Sequence, residues 1–160
     1  MVTDFEKALA VLNGAGVEFI VIGGVAGALH GSAFITQDLD VVYSRGPENI
    51  HRLATALQPH QPYLRGAPTG LPFKWDERTI RSRLNFTLTT SFGDLDLLGE
   101  VAGGGTFADL LSHTQEINGF GLRFRVVNLD KLIALKRAAG RPKDLSIIAE
   151  LQEILERQKK

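Results

Sequence analysis

The amino-acid sequence predicts an α/β or α+β protein, with a small mixed β-sheet flanked by helices and a pair of helices at the C-terminus. Short apolar segments typical of strands are interspersed with segments whose apolar residues recur at helical spacing. Glycines and prolines stand between these segments, where they stop regular structure. The length of 160 residues corresponds to one domain. Within it we expect a core at residues 1–127 and a helical pair at residues 128–160 that packs on the core.

Helices and strands alternate in the first half of the chain. The predicted elements are a helix at 4–13, a strand at 18–22, a helix at 25–30, a strand at 39–43 and a helix at 47–57. Gly14 and Gly16 end the first helix, and Gly23-Gly24 ends the first strand. Pro47 stands at the first turn of its helix, where the missing N–H costs nothing.

Strands dominate the middle of the chain, and helices follow at its end. The predicted elements are strands at 84–90 and 92–98, a short helix at 107–112, hairpin strands at 115–117 and 122–127, and helices at 129–139 and 142–158. Asn118-Gly119 is typical of the tight turn of a hairpin. Gly140 and Pro142 separate the last two helices, because glycine commonly follows a helix and proline commonly begins one.

The composition excludes several classes of protein. The chain has no cysteine, which rules out disulfides and thiolate metal sites, and its formal net charge is zero. No apolar run approaches the roughly 20 residues of a membrane span. The N-terminus lacks the features of a secretion signal, so we expect a cytoplasmic protein that does not bind membranes.

Charged residues are nevertheless segregated along the chain. The net charges of residues 1–60, 61–90, 91–130 and 131–160 are −3, +3, −4 and +4. A fold that brings acidic and basic segments together can hold metal ions and polyphosphate. Chance clustering on solvated faces is the alternative explanation.

One pattern of aspartates indicates the chemistry. Asp38 and Asp40 lie two residues apart on a predicted strand, so both side chains project from the same face. Adjacent carboxylates repel each other, and the pair therefore favours a cation between them. Oxygen ligands without cysteine are typical of Mg²⁺ or Mn²⁺. Asp94 or Asp96 on a later strand supplies a third carboxylate, and we prefer Asp96 because Asp94 adjoins a turn.

Three sequence blocks in this order resemble the nucleotidyltransferase superfamily with the DNA polymerase beta-like fold. The blocks are Ile22-Gly23-Gly24, Asp38-Leu39-Asp40 and Leu95-Asp96-Leu97. The sequences LIALK at 132–136 and GRPKDL at 140–145 resemble the tail of small bacterial members, including toxins of abortive-infection and toxin–antitoxin systems. The resemblance covers roughly residues 15–155. It departs at Gly24, where many members have a serine that contacts a phosphate and where a backbone N–H would have to serve here.

The resemblance implies an ATP-binding or other NTP-dependent enzyme that moves a nucleoside monophosphate to an acceptor and releases pyrophosphate. Asp38, Asp40 and Asp96 would hold two Mg²⁺ or Mn²⁺ ions, and Asp96 would also accept the proton of the acceptor. Gly23, Gly24 and the start of the following helix would cradle the triphosphate. The acceptor would be an RNA such as tRNA, a protein or a small molecule.

Other functions are compatible with the same residues. The enzyme chemistry also serves toxins, whereas the fold alone would serve a non-catalytic regulatory module or a toxin–antitoxin interaction partner. An intact set of three aspartates argues against the last two, because a binding module does not need all three. Asp-x-Asp also occurs in sugar-nucleotide glycosyltransferases, which leave the strand of Asp96 and the position of Lys136 unexplained.

Lys136 occupies an unusual position on the first of the two C-terminal helices. Helical spacing places it among apolar residues such as Leu129 and Ile133, and a lysine that faces inward is rare unless it is paired. We therefore expect Lys136 to approach the triphosphate or the aspartates, with Arg141 or Lys143 nearby. A lysine that runs along the rim towards solvent is the alternative.

Residues 58–80 form a long segment that is rich in proline and glycine and predicts an irregular loop. It holds four of the six prolines and the only tryptophan of the chain. Such loops often act as lids or binding loops, and a surface excursion without function is the alternative. Since aromatic and basic side chains suit stacking on a base and contact with phosphate, we expect the loop to rim the cleft. The candidate acceptor-binding residues in it and beside it are Lys74, Trp75, Arg78 and Arg81.

Overall fold

The computed structural model describes residues 2–160 as alternating helices and strands. The helices are α1 (Phe5–Gly14), α2 (Gly23–Leu29), α3 (Pro47–Leu57), α4 (Glu77–Ser82), α5 (Phe107–Leu110), α6 (Leu129–Ala139) and α7 (Leu145–Gln158). The strands are β1 (Phe19–Ile22), β2 (Asp38–Tyr43), β3 (Tyr63–Leu64), β4 (Asn85–Thr90), β5 (Gly93–Leu98), β6 (Glu100–Val101), β7 (Gly105–Thr106), β8 (Thr114–Gly119) and β9 (Leu122–Val127). Short 3₁₀ helices occupy Gln58–His60, Leu111–His113 and Pro142–Asp144. Across residues 2–160, every helix is too short or too polar to cross a lipid bilayer.

Seven strands form one mixed sheet in the order β3-β4-β5-β2-β1-β9-β8. The pairs β2–β5 and β1–β9 are parallel, and the other neighbours are antiparallel. Helix α6 packs against α2 and α7, while α3 packs against α1 and α4. Leu132 and Ile133 of α6 belong to the same apolar core as the central strands. The predicted class, a mixed sheet flanked by helices with a C-terminal helical pair, is confirmed.

Helix α2 begins earlier than predicted, at Gly23 rather than at residue 25. Gly23 has a positive φ of 67°, a conformation that costs glycine little and other residues much. The chain therefore turns from β1 into α2 at once, without a separate loop between them. The glycine pair, which we predict to end a strand, ends the strand and begins the helix.

The segment 58–80 is more ordered than its proline and glycine content predicts. Its first part contributes β3 to the edge of the sheet, and its last part leads into α4. Asp76 caps α4 by accepting a hydrogen bond of 2.8 Å from the N–H of Thr79. Trp75 is only 5% exposed and packs edge-on against Phe86, at 5.5 Å between ring centroids. The prediction of an irregular loop is therefore wrong for the 3₁₀ helix, β3 and the start of α4. It is confirmed for residues 65–76, which form no helix or strand.

The hairpin of β8 and β9 is confirmed, but its turn lies two residues later than predicted. Asn118 is paired with Arg123 inside the strands, and Phe120-Gly121 forms the turn with both φ angles positive. The side chains of Phe124 and Val126 are buried, which fixes the face and the register of β9. Burial of that face therefore outweighs the turn preference of Asn118-Gly119 and holds Phe120 in the left-handed region.

Candidate functional site

Pairing of β2 with β5 brings four carboxylates onto one face of the sheet. In this parallel pair Asp38 lies opposite Asp94, and Asp40 lies opposite Asp96. The intervening Leu39 points to the other face and is fully buried, as alternation along a strand requires. The two predicted strands therefore pair in a register that places their aspartates opposite each other.

Three of these residues can share a metal ion. Asp38, Asp40 and Asp96, which we call the aspartate cluster, each offer one carboxylate oxygen, and these oxygens all lie within 4.8 Å of one another. The predicted approach of these three carboxylates is thereby confirmed, with Asp96 rather than Asp94 as the third. Asp94 instead places its Oδ1 atom 3.4 Å from Nε of Arg65.

Asp40 occupies the most unfavourable electrostatic position in the cluster. Its Oδ1 atom is buried and has no hydrogen-bond partner in residues 2–160. Burial, reinforced by the charges of Asp38 and Asp96, raises the pKa of Asp40 to about 8. Burial also raises the pKa of Asp96, although the guanidinium of Arg65 opposes this effect. A buried oxygen without a partner beside two further carboxylates is the environment in which a bound cation compensates desolvation.

The backbone of the glycine pair approaches the aspartate cluster closely. A Cβ atom at Gly23 would collide with the carboxylate of Asp40, so only glycine fits there. A Cβ atom at Gly24 would lie 2.5 Å from Cβ and 2.6 Å from Oγ1 of Thr36. The space that a serine side chain would need at position 24 is therefore already filled by Thr36.

A cleft of about 290 Å³ opens beside the aspartate cluster. Its lining includes Gly23, Asp40, Asp96, Lys136 and Arg141. Lys136 is only 7% exposed, and none of the ion pairs within residues 2–160 involves it. Lys136 thus lines the same cleft as Asp40 and Asp96, and its burial is as helical spacing predicts. Within the described chain it forms no ion pair with an aspartate, and its contact with a triphosphate stays a prediction.

Of the two basic residues expected near Lys136, the structure brings only one into the cleft. Arg141 lines the cleft and donates from Nε to Oδ2 of Asp144 at 2.8 Å. Asp144 is 2% exposed, so Arg141 compensates a buried carboxylate. Lys143 is exposed and belongs to the lining of neither the cleft nor the neighbouring pocket at the end of α6.

Arg65 belongs to the site although the sequence did not single it out. Its Nη2 atom lies 2.7 Å from Oδ1 of Asp96, and its Nη1 atom lies 3.9 Å from Oδ2 of Asp38. Arg65 directly follows β3, where Leu64 is paired with Leu88, so alternation turns the guanidinium towards the aspartates. The available signal was the alternation of Leu64 and Arg65, which is too short to identify a strand.

The four candidate acceptor-binding residues lie elsewhere. Trp75 packs on Phe86, and Phe86 alternates with Thr87, whose side chain shares the face of Asp96 by register. Trp75 therefore packs on the face of the sheet opposite the aspartates, and its buried ring is not available for stacking. The exposed residues that flank it, Lys74, Arg78 and Arg81, belong to the segment leading into and forming α4, which packs against α3. The prediction that these residues rim the cleft is not met, because Trp75 is buried on the face of the sheet opposite the aspartates and the residues beside it lie with it.

The fold of almost the whole chain matches a solved structure. A crystal structure from Thermotoga maritima, of a protein described as a "putative nucleotidyltransferase", superposes with a TM-score of 0.59 at 14% sequence identity. The match covers 93% of this chain and 90% of that chain. No protein-family model matches the sequence, and the comparison with curated proteins gives no match. The chain thus has a nucleotidyltransferase-like fold, and at this identity the likeness extends to the fold alone.

Proposed function

We propose that this protein is a metal-dependent nucleotidyltransferase that moves a nucleoside monophosphate from an NTP to an acceptor and releases pyrophosphate. The observation that carries the proposal is the aspartate cluster, of which Asp40 and Asp96 line a cleft that the nearly buried Lys136 also lines. Carboxylates for a divalent ion and a cation for phosphate are the two requirements of such a reaction. The nucleotidyltransferase-like fold supports the same reaction class.

The residues of the aspartate cluster fit a bound Mg²⁺ or Mn²⁺ ion. All three offer hard oxygen ligands, and the buried Oδ1 atom of Asp40 has no other partner. Asp38, Asp40 and Asp96 would hold the ion, which when bound would offset phosphate charge and favour ionisation of the attacking group. Such a cation would also relieve the mutual repulsion of the three carboxylates.

The other residues bind and orient the substrates. The backbone of Gly23, which lines the cleft, and of Gly24 at the start of α2 would cradle the triphosphate. Lys136 would counter charge on the phosphates from within the cleft, and Arg141 would add a second positive charge at its edge. We assign no such role to Lys143, because it lies outside the cleft lining.

The reaction would proceed by attack of an acceptor oxygen on the α-phosphorus of the NTP. The new P–O bond forms as the bond to the bridging α,β-oxygen breaks, and pyrophosphate carries away that electron pair. The carboxylate of Asp96 would accept the proton of the acceptor hydroxyl, a role open to a carboxylate that lines the cleft. Positioning and electrostatic stabilisation would supply most of the rate enhancement.

Labelled nucleotides test this proposal and identify the acceptor. Purified protein is incubated with Mg²⁺, a cell extract that supplies RNA, proteins and small molecules, and each of the four NTPs labelled at the α-phosphate. We expect covalent label in one acceptor class, its loss with EDTA, and no label from γ-labelled NTP. Label from the γ-phosphate alone would identify phosphoryl transfer and contradict the proposal. Asp96→Asn is the inactive control.

A non-catalytic nucleotide-binding module, acting in regulation or within a toxin–antitoxin pair, is the second candidate. The observation that favours it is Arg65, which already neutralises part of the aspartate cluster. Such a module would retain NTP in an equilibrium binding measurement but would release no pyrophosphate in the presence of any acceptor. The labelling experiment therefore separates the two candidates.

A further inference from the structure

Arg65 places a cation beside the aspartate cluster. Its guanidinium lies among three carboxylates, at 2.7 Å from Asp96, 3.4 Å from Asp94 and 3.9 Å from Asp38. We infer that in the nucleotide-free protein Arg65 takes the place of one of two metal ions, so that this form binds a single divalent ion on the side of Asp40. This inference rests on the proposed metal-dependent function and adds a positioning residue to it.

The backbone around Arg65 holds its guanidinium in this place. Its N–H donates to the carbonyl of Thr87 at 3.0 Å, which extends the pairing of β3 with β4. Its Nη2 atom also donates to the carbonyl of Leu88 at 2.7 Å, and the side chain is 28% exposed. Because a guanidinium cannot lose its charge near neutral pH, Arg65 can vacate the site only by moving.

The charge balance favours one ion when Arg65 is in place. Four carboxylates face this region, those of Asp38, Asp40, Asp94 and Asp96, and Arg65 offsets one negative charge. With Arg65 in place, one divalent ion leaves the region with a single negative charge, and a second ion would invert its sign. Without Arg65, two divalent ions would neutralise the four carboxylates, so the arginine disfavours the second ion. The open ligand position is also one that Arg65 does not occupy, because within residues 2–160 Oδ1 of Asp40 has no partner and Asp40 forms no ion pair with Arg65.

Counting bound Mn²⁺ ions tests the inference without any activity measurement. Wild-type protein without nucleotide is titrated with Mn²⁺ at low ionic strength, and free Mn²⁺ is followed by electron paramagnetic resonance. The same titration is done with Arg65→Gln, which removes the charge, and with Arg65→Lys, which keeps it. Arg123→Gln is the matched control, since Arg123 also pairs with a carboxylate, Glu116 at 3.2 Å, but on β9, which lies beyond β2 and β1 from β5. Circular dichroism verifies that each variant is folded.

We expect one Mn²⁺ ion per wild-type chain and two per Arg65→Gln chain, with the first ion bound at least about ten-fold more tightly in the variant. Arg65→Lys and Arg123→Gln should both bind one ion, as the wild type does. Two ions in the wild type, or unchanged stoichiometry and affinity in Arg65→Gln, would overturn the role of Arg65 and leave the proposed function intact. A count of two ions in the wild type overturns the inference even if Arg65→Gln fails to fold. Absence of Mn²⁺ binding in every protein would overturn the metal site and, with it, this inference.

Discussion

The two faces of β2 and β5 differ in chemistry around the aspartates, although their residues alternate along the same chain segments. On one face Leu39, Val41 and Leu95 are fully buried in the apolar core. On the other face, one residue away, Asp40 and Asp96 stand beside the cleft. Consecutive residues therefore serve opposite purposes, because a strand sends neighbouring side chains to opposite faces. The apolar face fixes the register, and the register assembles the aspartate cluster.

Neutralising one aspartate should have the largest effect on function and little effect on the fold. We expect Asp40→Asn to lower nucleotidyl transfer on the order of 100- to 1000-fold, as removal of a central electrostatic element does. In metal-free buffer this variant should be at least as stable as wild type, since it removes a buried and repelled charge. Single-turnover kinetics and urea unfolding measure the two quantities. A marked loss of stability in Asp40→Asn would contradict the view that the aspartate face serves function and the apolar face stabilises the fold.

The neighbouring apolar position should show the opposite behaviour. Leu95→Ala removes a fully buried side chain one residue before Asp96 and should lower the free energy of unfolding by about 2–5 kcal/mol. Urea denaturation gives this value, and Mn²⁺ affinity of the fraction that remains folded should stay near that of wild type. If Leu95→Ala were as stable as wild type, the role of this face in fixing the register would be refuted.

The protonation state of Asp40 should make metal affinity depend on pH. Because the pKa of Asp40 is raised to about 8 in the metal-free protein, protons compete with the cation below that pH. Mn²⁺ affinity should therefore rise by up to about ten-fold per pH unit between pH 6 and 8 and then level off. Isothermal titration calorimetry in buffers of different ionisation enthalpy measures both the affinity and the protons released. An affinity that is constant over this range would contradict the coupling.

The same raised pKa determines how stability responds to pH. The folded pKa of Asp40 lies above its ordinary value of 3.8, so the folded state holds more protons than the unfolded state between these two values. The contribution of protonated Asp40 to metal-free stability is thus complete below about pH 4 and is lost as pH rises towards 8. Asp40→Asn, which lacks this titration, should show a weaker decline.

Replacing Lys136 should give the smallest of these effects, and it should change nucleotidyl transfer without changing stability. Lys136→Met keeps the apolar stem within its buried surroundings and removes the charge. We expect transfer to fall by about ten-fold or more, equivalent to a loss of roughly 1.4 kcal/mol of transition-state stabilisation. Thermal unfolding should be nearly unchanged. Wild-type kinetics in Lys136→Met would remove this residue from the site.

The sequence predicts the parts of the site that depend on local periodicity. Asp38 and Asp40 follow from strand alternation, and the inward position of Lys136 follows from helical spacing. Arg65 does not, because its placement depends on pairing of the two-residue strand β3 with β4, whose partner residues lie more than twenty positions later in the chain. The position of Trp75 was predicted wrongly for a related reason. The proline and glycine content of residues 58–80 suggested an exposed binding loop, and only the packing of Trp75 against Phe86 shows that it is a core residue.

Anomalous diffraction from crystals containing Mn²⁺ and a non-hydrolysable NTP analogue tests the central claim most directly, because it locates the metal and the phosphates relative to the two faces of the sheet. We expect a Mn²⁺ peak at about 2 Å from carboxylate oxygens of Asp38 and Asp40. The triphosphate should lie in the cleft, within reach of Nζ of Lys136. A Mn²⁺ peak remote from these aspartates, or a triphosphate bound on the face of the sheet where Trp75 packs, would contradict the account.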